Sequence, residues 1–153
     1  MPAFSLLILG SFAYILVQGG IGAYQLLAMQ TLAVYGISNN VRVAWLEITA
    51  SEADSLHHKK FLKELVDYTS NRYEFRTRVR ATEALERLNY CDEELIINLF
   101  NACTYTNNRL SNPASKCLKS LLKKPEYLQM AKTFFEACSW REWERRVIEP
   151  LLK

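Results

Sequence analysis

Two hydrophobic patterns divide the chain. Apolar residues predominate from Ala3 to Val17, and after Gln18-Gly19-Gly20-Ile21-Gly22 a second apolar run extends from Ala23 to Ile37. Neither run has a polar face, so each predicts a helix covered on every side, by protein or by lipid. From residue 55 onward the pattern changes to one apolar stripe per helix. Leu62, Leu65, Val66 and Thr69 stand at i, i+3, i+4, i+7, as do Ile96, Leu99, Phe100 and Cys103, and again Tyr127, Met130, Ala131 and Phe134. That spacing is the signature of amphipathic helices. Each stripe runs out near turn chemistry: Ser70-Asn71, Thr106-Asn107-Asn108 and Ser139.

Between these first helices lie second helices that share a pattern. Ala81-x-x-Ala84-Leu85-x-x-Leu88 matches Ala114-x-x-Cys117-Leu118-x-x-Leu121, with the same offset at every matched position. Among the first helices, Leu99-Phe100-Asn101-Ala102-Cys103 recurs as Phe134-Phe135-Glu136-Ala137-Cys138 at a nearly equal offset. A two-helix period of that length predicts stacked helical hairpins, because one pair cannot bury its apolar face alone. Three pairs are expected, over 55–89, 92–124 and 125–152. Local signals agree. Asp92 is placed to cap a helix opening with Glu93 and Glu94. Pro113 and Pro125 suit first helical turns, Ser139 and Glu142 form a capping-box pair, and Pro150 should kink or end the last helix.

The two apolar head runs are each roughly 22 Å long as helices, shorter than a hydrocarbon core of roughly 30 Å. A broken or re-entrant helix pair, a single span with an interfacial remainder, and a signal peptide compete here. No basic segment follows Met1, which weakens the last. The three glycines favour a break at Gln18–Gly22, either a plain hairpin turn or irregular backbone of the kind that lines a site inside a membrane bundle. In the connecting stretch 41–54, Val41 to Ile48 fits a short strand or a helix, Trp45 fits an interfacial anchor or a core position, and Ser51 with Asp54 resembles a capping box.

Charge sharpens this division. Residues 1–41 contain no Asp, Glu, Lys or Arg, so all such residues fall from Arg42 onward. The net charge of +3 is too small to imply a nucleic-acid partner. Arg72, Arg76, Arg78, Arg80 and Arg87 cluster, yet Glu74, Glu83 and Glu86 are interleaved, which describes an ion-paired solvated face and disfavours nucleic acid. Trp140 and Trp143, three apart, are expected on one helix face. Arg72, Arg76, Arg80, Trp140 and Trp143 are therefore the candidate partner surface.

Reactive chemistry is sparse. Cys91, Cys103, Cys117 and Cys138 form no C-x-x-C pair and fit no zinc spacing; each reads as a small hydrophobe, and free thiols suit a reducing compartment. The adjacent His57 and His58 read as solvated surface residues. No catalytic, cofactor-binding or metal-ligating residue is assigned.

Three resemblances add to this reading. Leu9-Gly10-Ser11, Val17-Gln18-Gly19-Gly20-Ile21-Gly22-Ala23-Tyr24 and Leu32-Ala33-Val34-Tyr35-Gly36-Ile37 resemble part of the flippase-like membrane domain, which also forms the membrane half of lysylphosphatidylglycerol synthases. The likeness is confined to 5–40, a small part of a much longer domain, and a proline common in that family before the Gly-Gly is Leu16 here. The segment 77–88 resembles the second helix of a HEAT repeat, with the family arginine at Arg78 and its valine replaced by Thr77; the second copy has Leu110 and Ser111 at these places. The segments Asn108–Ser111 and Trp140–Glu144 resemble the helical C-terminal tail of bacterial zinc aminopeptidases, whose catalytic domain this chain lacks.

The resulting expectation is an all-α chain: an apolar membrane-type helical pair (1–40), a junction (41–54) and a HEAT-like α-solenoid of about three helical hairpins (55–153). The implied function is a non-catalytic, membrane-tethered scaffold for protein interaction. It would contact membrane lipid through residues 1–40 and carry its repeat in a reducing, cytoplasmic compartment. A fragment of a flippase-like or aminoacyl-phospholipid synthase protein, an accessory peptidase tail, and a composite reading frame are the alternatives.

Overall fold

A computed structural model describes residues 38–52 and 55–153, and among them every regular element is helical. The helices are α1 (Asn39–Glu52), α2 (Ser55–Tyr68), α3 (Phe75–Leu88), α4 (Glu93–Cys103), α5 (Asn108–Leu121), α6 (Pro125–Ala137) and α7 (Glu142–Ile148), with a closing 3-10 turn at Glu149–Leu152. The apolar runs and the Gln18–Gly22 break lie outside the described residues. No described helix is long and apolar enough to cross a membrane. The chain divides into two compact units at Glu64–Leu65, within α2.

In the first unit, Val41–Ile48 resolves as helix. Val43, Leu46 and Ala50 form its buried stripe at spacings of three and four, while Val41 and Ile48 face solvent. Trp45 is half-buried. Ser51 caps nothing at an N-terminus: it sits in the last turn of α1, where its hydroxyl donates to the Ile48 carbonyl at 2.7 Å. Arg42 pairs with Glu64 of α2 at 3.4 Å. His58 is not simply solvated. Its Nδ1 lies 2.6 Å from the Ala50 carbonyl, one of the four carbonyls that the end of α1 leaves without a helical donor. Only the Nδ1–H tautomer, or the imidazolium, makes that bond.

The second unit holds the last residues of α2 and all of α3 to α7. α3 and α5 each have 14 residues, and both ends are shifted alike, from Phe75 to Asn108 and from Leu88 to Leu121. They lie against each other, and α5 also packs on α4. α4 in turn contacts α6 and α7, and the 3-10 turn lies on α5 and α6. The α3–α5 seam is close because its residues are small. Ala81, Ala84, Ala114 and Cys117 are all fully buried, and the Cys117 thiol lies 3.6 Å from the Thr82 carbonyl. Leu85, Leu95, Ile96, Leu99, Phe100, Leu110, Leu118 and Leu121 fill the remaining core. Each such side chain contributes about 1.5–3 kcal/mol on burial.

The helix ends follow the residues available. Asp92 accepts from the Leu95 amide at 2.8 Å and caps α4, as its position predicts. α3 stops because Asn89 adopts the left-handed conformation (φ 52°, ψ 39°), which lets Tyr90 N–H reach back to the Leu85 carbonyl at 3.2 Å. Asn107 caps α5 by accepting from Arg109 N–H at 3.0 Å, so Pro113 stands in the second turn, inside the helix and not at its start. Pro125 opens α6 as expected, and Pro150 replaces further α-helix by the 3-10 turn. At α7 the reciprocal bond runs from Arg141 N–H to the Glu144 carboxylate at 2.9 Å, displacing the expected Ser139–Glu142 cap toward the C-terminus.

α6 is packed less completely than α4. Ile96, Leu99, Phe100 and Cys103 are buried, whereas of Tyr127, Met130, Ala131 and Phe134 only Ala131 is.

Candidate functional site

An open groove of about 420 Å³ runs between α3 and α5, lined by Glu83, Glu86, Asn112, Pro113 and Lys116. Its position follows from the seam beneath. Ala81, Ala84 and Leu85 of α3 and Ala114, Cys117 and Leu118 of α5 point into the core, so the intervening positions line the outer edge of the same contact. Lys116 Nζ lies 3.6 Å from Glu86 Oε2 across the groove; the lysine side chain is 78% exposed and the glutamate 19%. A pair with one solvated partner holds the helices together weakly, and the lysine remains accessible to a ligand. Pro113 has no N–H for the Arg109 carbonyl one turn earlier, which leaves that carbonyl without its helical donor.

Arg76 and Arg80 are exposed one turn apart on α3, upstream of Glu83. Arg76 lies 5.9 Å from the Phe75 ring. Arg72 stands apart from this face, in the α2–α3 turn, where its guanidinium is paired with Asp67. Asp67 also accepts from the Tyr73 hydroxyl at 2.9 Å.

The expected tryptophan pair does not form one face. α7 begins at Glu142, so Trp140 precedes it. The Trp140 indole stacks on Phe135 (5.9 Å, 18°), meets Phe100 edge-on (5.6 Å, 85°) and donates from Nε1 to the Phe135 carbonyl at 2.9 Å. Trp143, 46% exposed, stands one helical turn from the exposed Val147. Trp140 is thus a packing residue and Trp143 a surface one.

Arg78 has a different role from its neighbours. It is buried on α3, its Nε donates to the Thr69 carbonyl at 3.1 Å, and its guanidinium carbon lies 5.9 Å from the Tyr105 ring centroid. One side chain therefore joins the end of α2, the start of α3 and the loop after α4. Burial pulls its pKa down from the usual arginine value, opposed by the Tyr105 phenol. At the equivalent place on α5, Ser111 makes only a local bond to the Asn107 carbonyl at 3.4 Å.

The thiols are held in their unreactive form. Burial pushes Cys91 up to about 12, aided by Asp92, and pushes Cys103 up to about 11; it raises Cys117 as well, with Glu86 adding to the shift. Cys138 is exposed. The thiolate, not the thiol, is the nucleophile, so the three buried cysteines have little of the reactive form. No group of three His, Cys, Asp or Glu side chains among the described residues is placed to hold a metal ion.

Sequence reasoning missed the groove. The one signal in the sequence was the match of Ala81–Leu88 to Ala114–Leu121, in which Glu83 corresponds to Lys116. Compared with protein-family models, curated proteins and solved structures, the chain matches none.

Proposed function

We propose that this chain is a non-catalytic, membrane-tethered helical-repeat scaffold for protein interaction. One observation carries the repeat part: two 14-residue helices, α3 and its sequence repeat α5, lie side by side through the same small-residue positions. In a HEAT-like stack, equivalent helices of successive hairpins pack on one another, as α3 and α5 do here and as α4 and α6 do in the other layer. Such stacks present a groove along one layer, and the α3–α5 groove is of that kind. The tether rests on the uncharged residues 1–41, which include two apolar runs.

Flotation with neutral phosphatidylcholine vesicles tests the proposal. The full chain should rise with the vesicles. A version lacking residues 1–40 should stay in the bottom fraction while keeping a helical circular-dichroism spectrum and one cooperative melt. Flotation without residues 1–40, or a full chain that remains at the bottom, removes the tether. A shortened chain without a cooperative melt removes the repeat domain as an independent unit.

A further inference from the structure

The positive charge of this protein is concentrated in one helical layer. α3 and α5 together hold seven of the nineteen Lys and Arg residues and only two of the sixteen acids, an excess of five in a chain whose net charge is +3. α4, on the other side of the core, carries Glu93 and Glu94 and no cation. Apart from the buried Arg78, the α3 and α5 cations are all exposed: Arg76, Arg80, Arg87, Arg109, Lys116 and Lys119.

Their order along the helices is informative. Glu83 and Glu86 share the groove with Asn112, Pro113 and Lys116. Arg80 lies one turn before Glu83, and Arg109 one turn before Asn112, so both arginines stand at the same end of the groove. Arg87 lies one turn beyond Glu83 and Lys119 one turn beyond Lys116, at the other end. The layer is cationic at both ends and has hydrogen-bond acceptors at its centre: the two carboxylates and the Asn112 amide oxygen.

We propose that the α3–α5 face docks an extended acidic peptide segment of a partner protein; this rests on the scaffold reading above. Arg109 and Lys119 stand about 15 Å apart along the helix, a length covered by roughly four or five residues of extended chain. Acidic side chains at both ends of such a segment meet the two cationic ends. Backbone N–H groups between them meet the central acceptors, as in other recognition of extended chains. A nucleic-acid strand fits less well. It carries a phosphate at every nucleotide with no uncharged stretch, which sets phosphates against Glu83 and Glu86 in the middle of the groove. Complementarity of this kind gives binding that weakens as salt rises.

The test uses the full chain in detergent micelles. The probe is a fluorescein-labelled Gly/Ser peptide with two glutamate pairs about four residues apart. Fluorescence anisotropy should show saturable, salt-sensitive binding. The double variant R80E/R109E should weaken it at least about tenfold, while K132E, an exposed cation reversed on α6, should change it less than about twofold. The proposal is overturned if the peptide does not bind or if K132E weakens binding as much as R80E/R109E. It is equally overturned if an oligothymidylate binds more tightly than the peptide and loses that binding in R80E/R109E. A short bismaleimide reacted with E86C/K116C in a C138S background reports whether the groove itself exists. Cross-linking without peptide binding rejects the acidic partner and leaves the scaffold standing; absence of cross-linking rejects both.

Discussion

Replacing Arg78 by methionine tests how the second unit is tied together. Methionine keeps much of the side chain's length and packing but removes every donor. The Thr69 carbonyl then loses a buried bond of 3.1 Å from a charged group, and the Tyr105 ring loses the cation 5.9 Å from its centroid. A hydrogen bond to a charged group is worth about 1.5–3 kcal/mol, including the cost of the carbonyl left behind. The contact with Tyr105, an exposed ring, adds about 0.5 kcal/mol. Against this, the variant no longer buries a cation, and that relief offsets part of the loss. The net expectation is a destabilisation of about 1.5 kcal/mol, which lowers the Tm of a unit this size by roughly 6–12 °C. Urea and thermal melts of the full chain measure it. Arg78→Lys, which keeps the charge but not the planar donor geometry, should fall between parent and methionine. Tyr105→Ala alone should cost no more than about 1 kcal/mol. An Arg78→Met protein within about 0.5 kcal/mol of the parent refutes the claim that Arg78 joins α2, α3 and the loop after α4.

Three further expectations follow from the same geometry. Asn89→Ala should cost about 1 kcal/mol in a urea melt, because an ordinary side chain resists the left-handed conformation that ends α3, whereas Asn89→Gly should cost nothing. A maleimide added at pH 8 should label the native chain at Cys138 and reach Cys91, Cys103 and Cys117 only after denaturation, as mass spectrometry can count. Stability should be flat through neutral pH and fall from about pH 9 to pH 12. The unfolded thiols ionise near 9.0 while folded Cys91 and Cys103 hold their protons to about 12 and about 11, so the unfolded state loses protons first. Each buried thiol should then cost about 1.4 kcal/mol per pH unit within its window, and a melt that is flat to about pH 11 contradicts their burial.

Much of the second unit was legible because its signals are local and redundant. The match of Ala81–Leu88 to Ala114–Leu121 placed α3 and α5, while Asp92, Pro125 and Pro150 marked helix ends where the structure has them. Pro113 misled because the stretch Asn107–Asn112 offers more than one asparagine cap. Leu110 and Ser111 are buried, which selects the earlier cap and draws the proline into the helix. The tryptophan pair misled for a related reason: three-residue spacing implies a shared face only inside a helix, and α7 begins between the two. Arg78 could not be separated by sequence from Arg76 and Arg80. All three belong to one run, and only the fold turns one inward to the Thr69 carbonyl. The groove was hidden because it depends on which helices become neighbours, a property of the tertiary contact and not of either helix.

The central claim is that α3 and α5 lie side by side through their small residues. Nuclear Overhauser contacts in a methyl- and backbone-labelled sample test it most directly. The account predicts cross-peaks between Thr82 and Cys117, whose carbonyl and thiol lie 3.6 Å apart. It also predicts them between Asn98 and Thr69, joined at 3.0 Å where α4 meets the end of α2. Cross-peaks that connect Cys117 only to residues of its own helix and to α4, with none to Thr82, would contradict it.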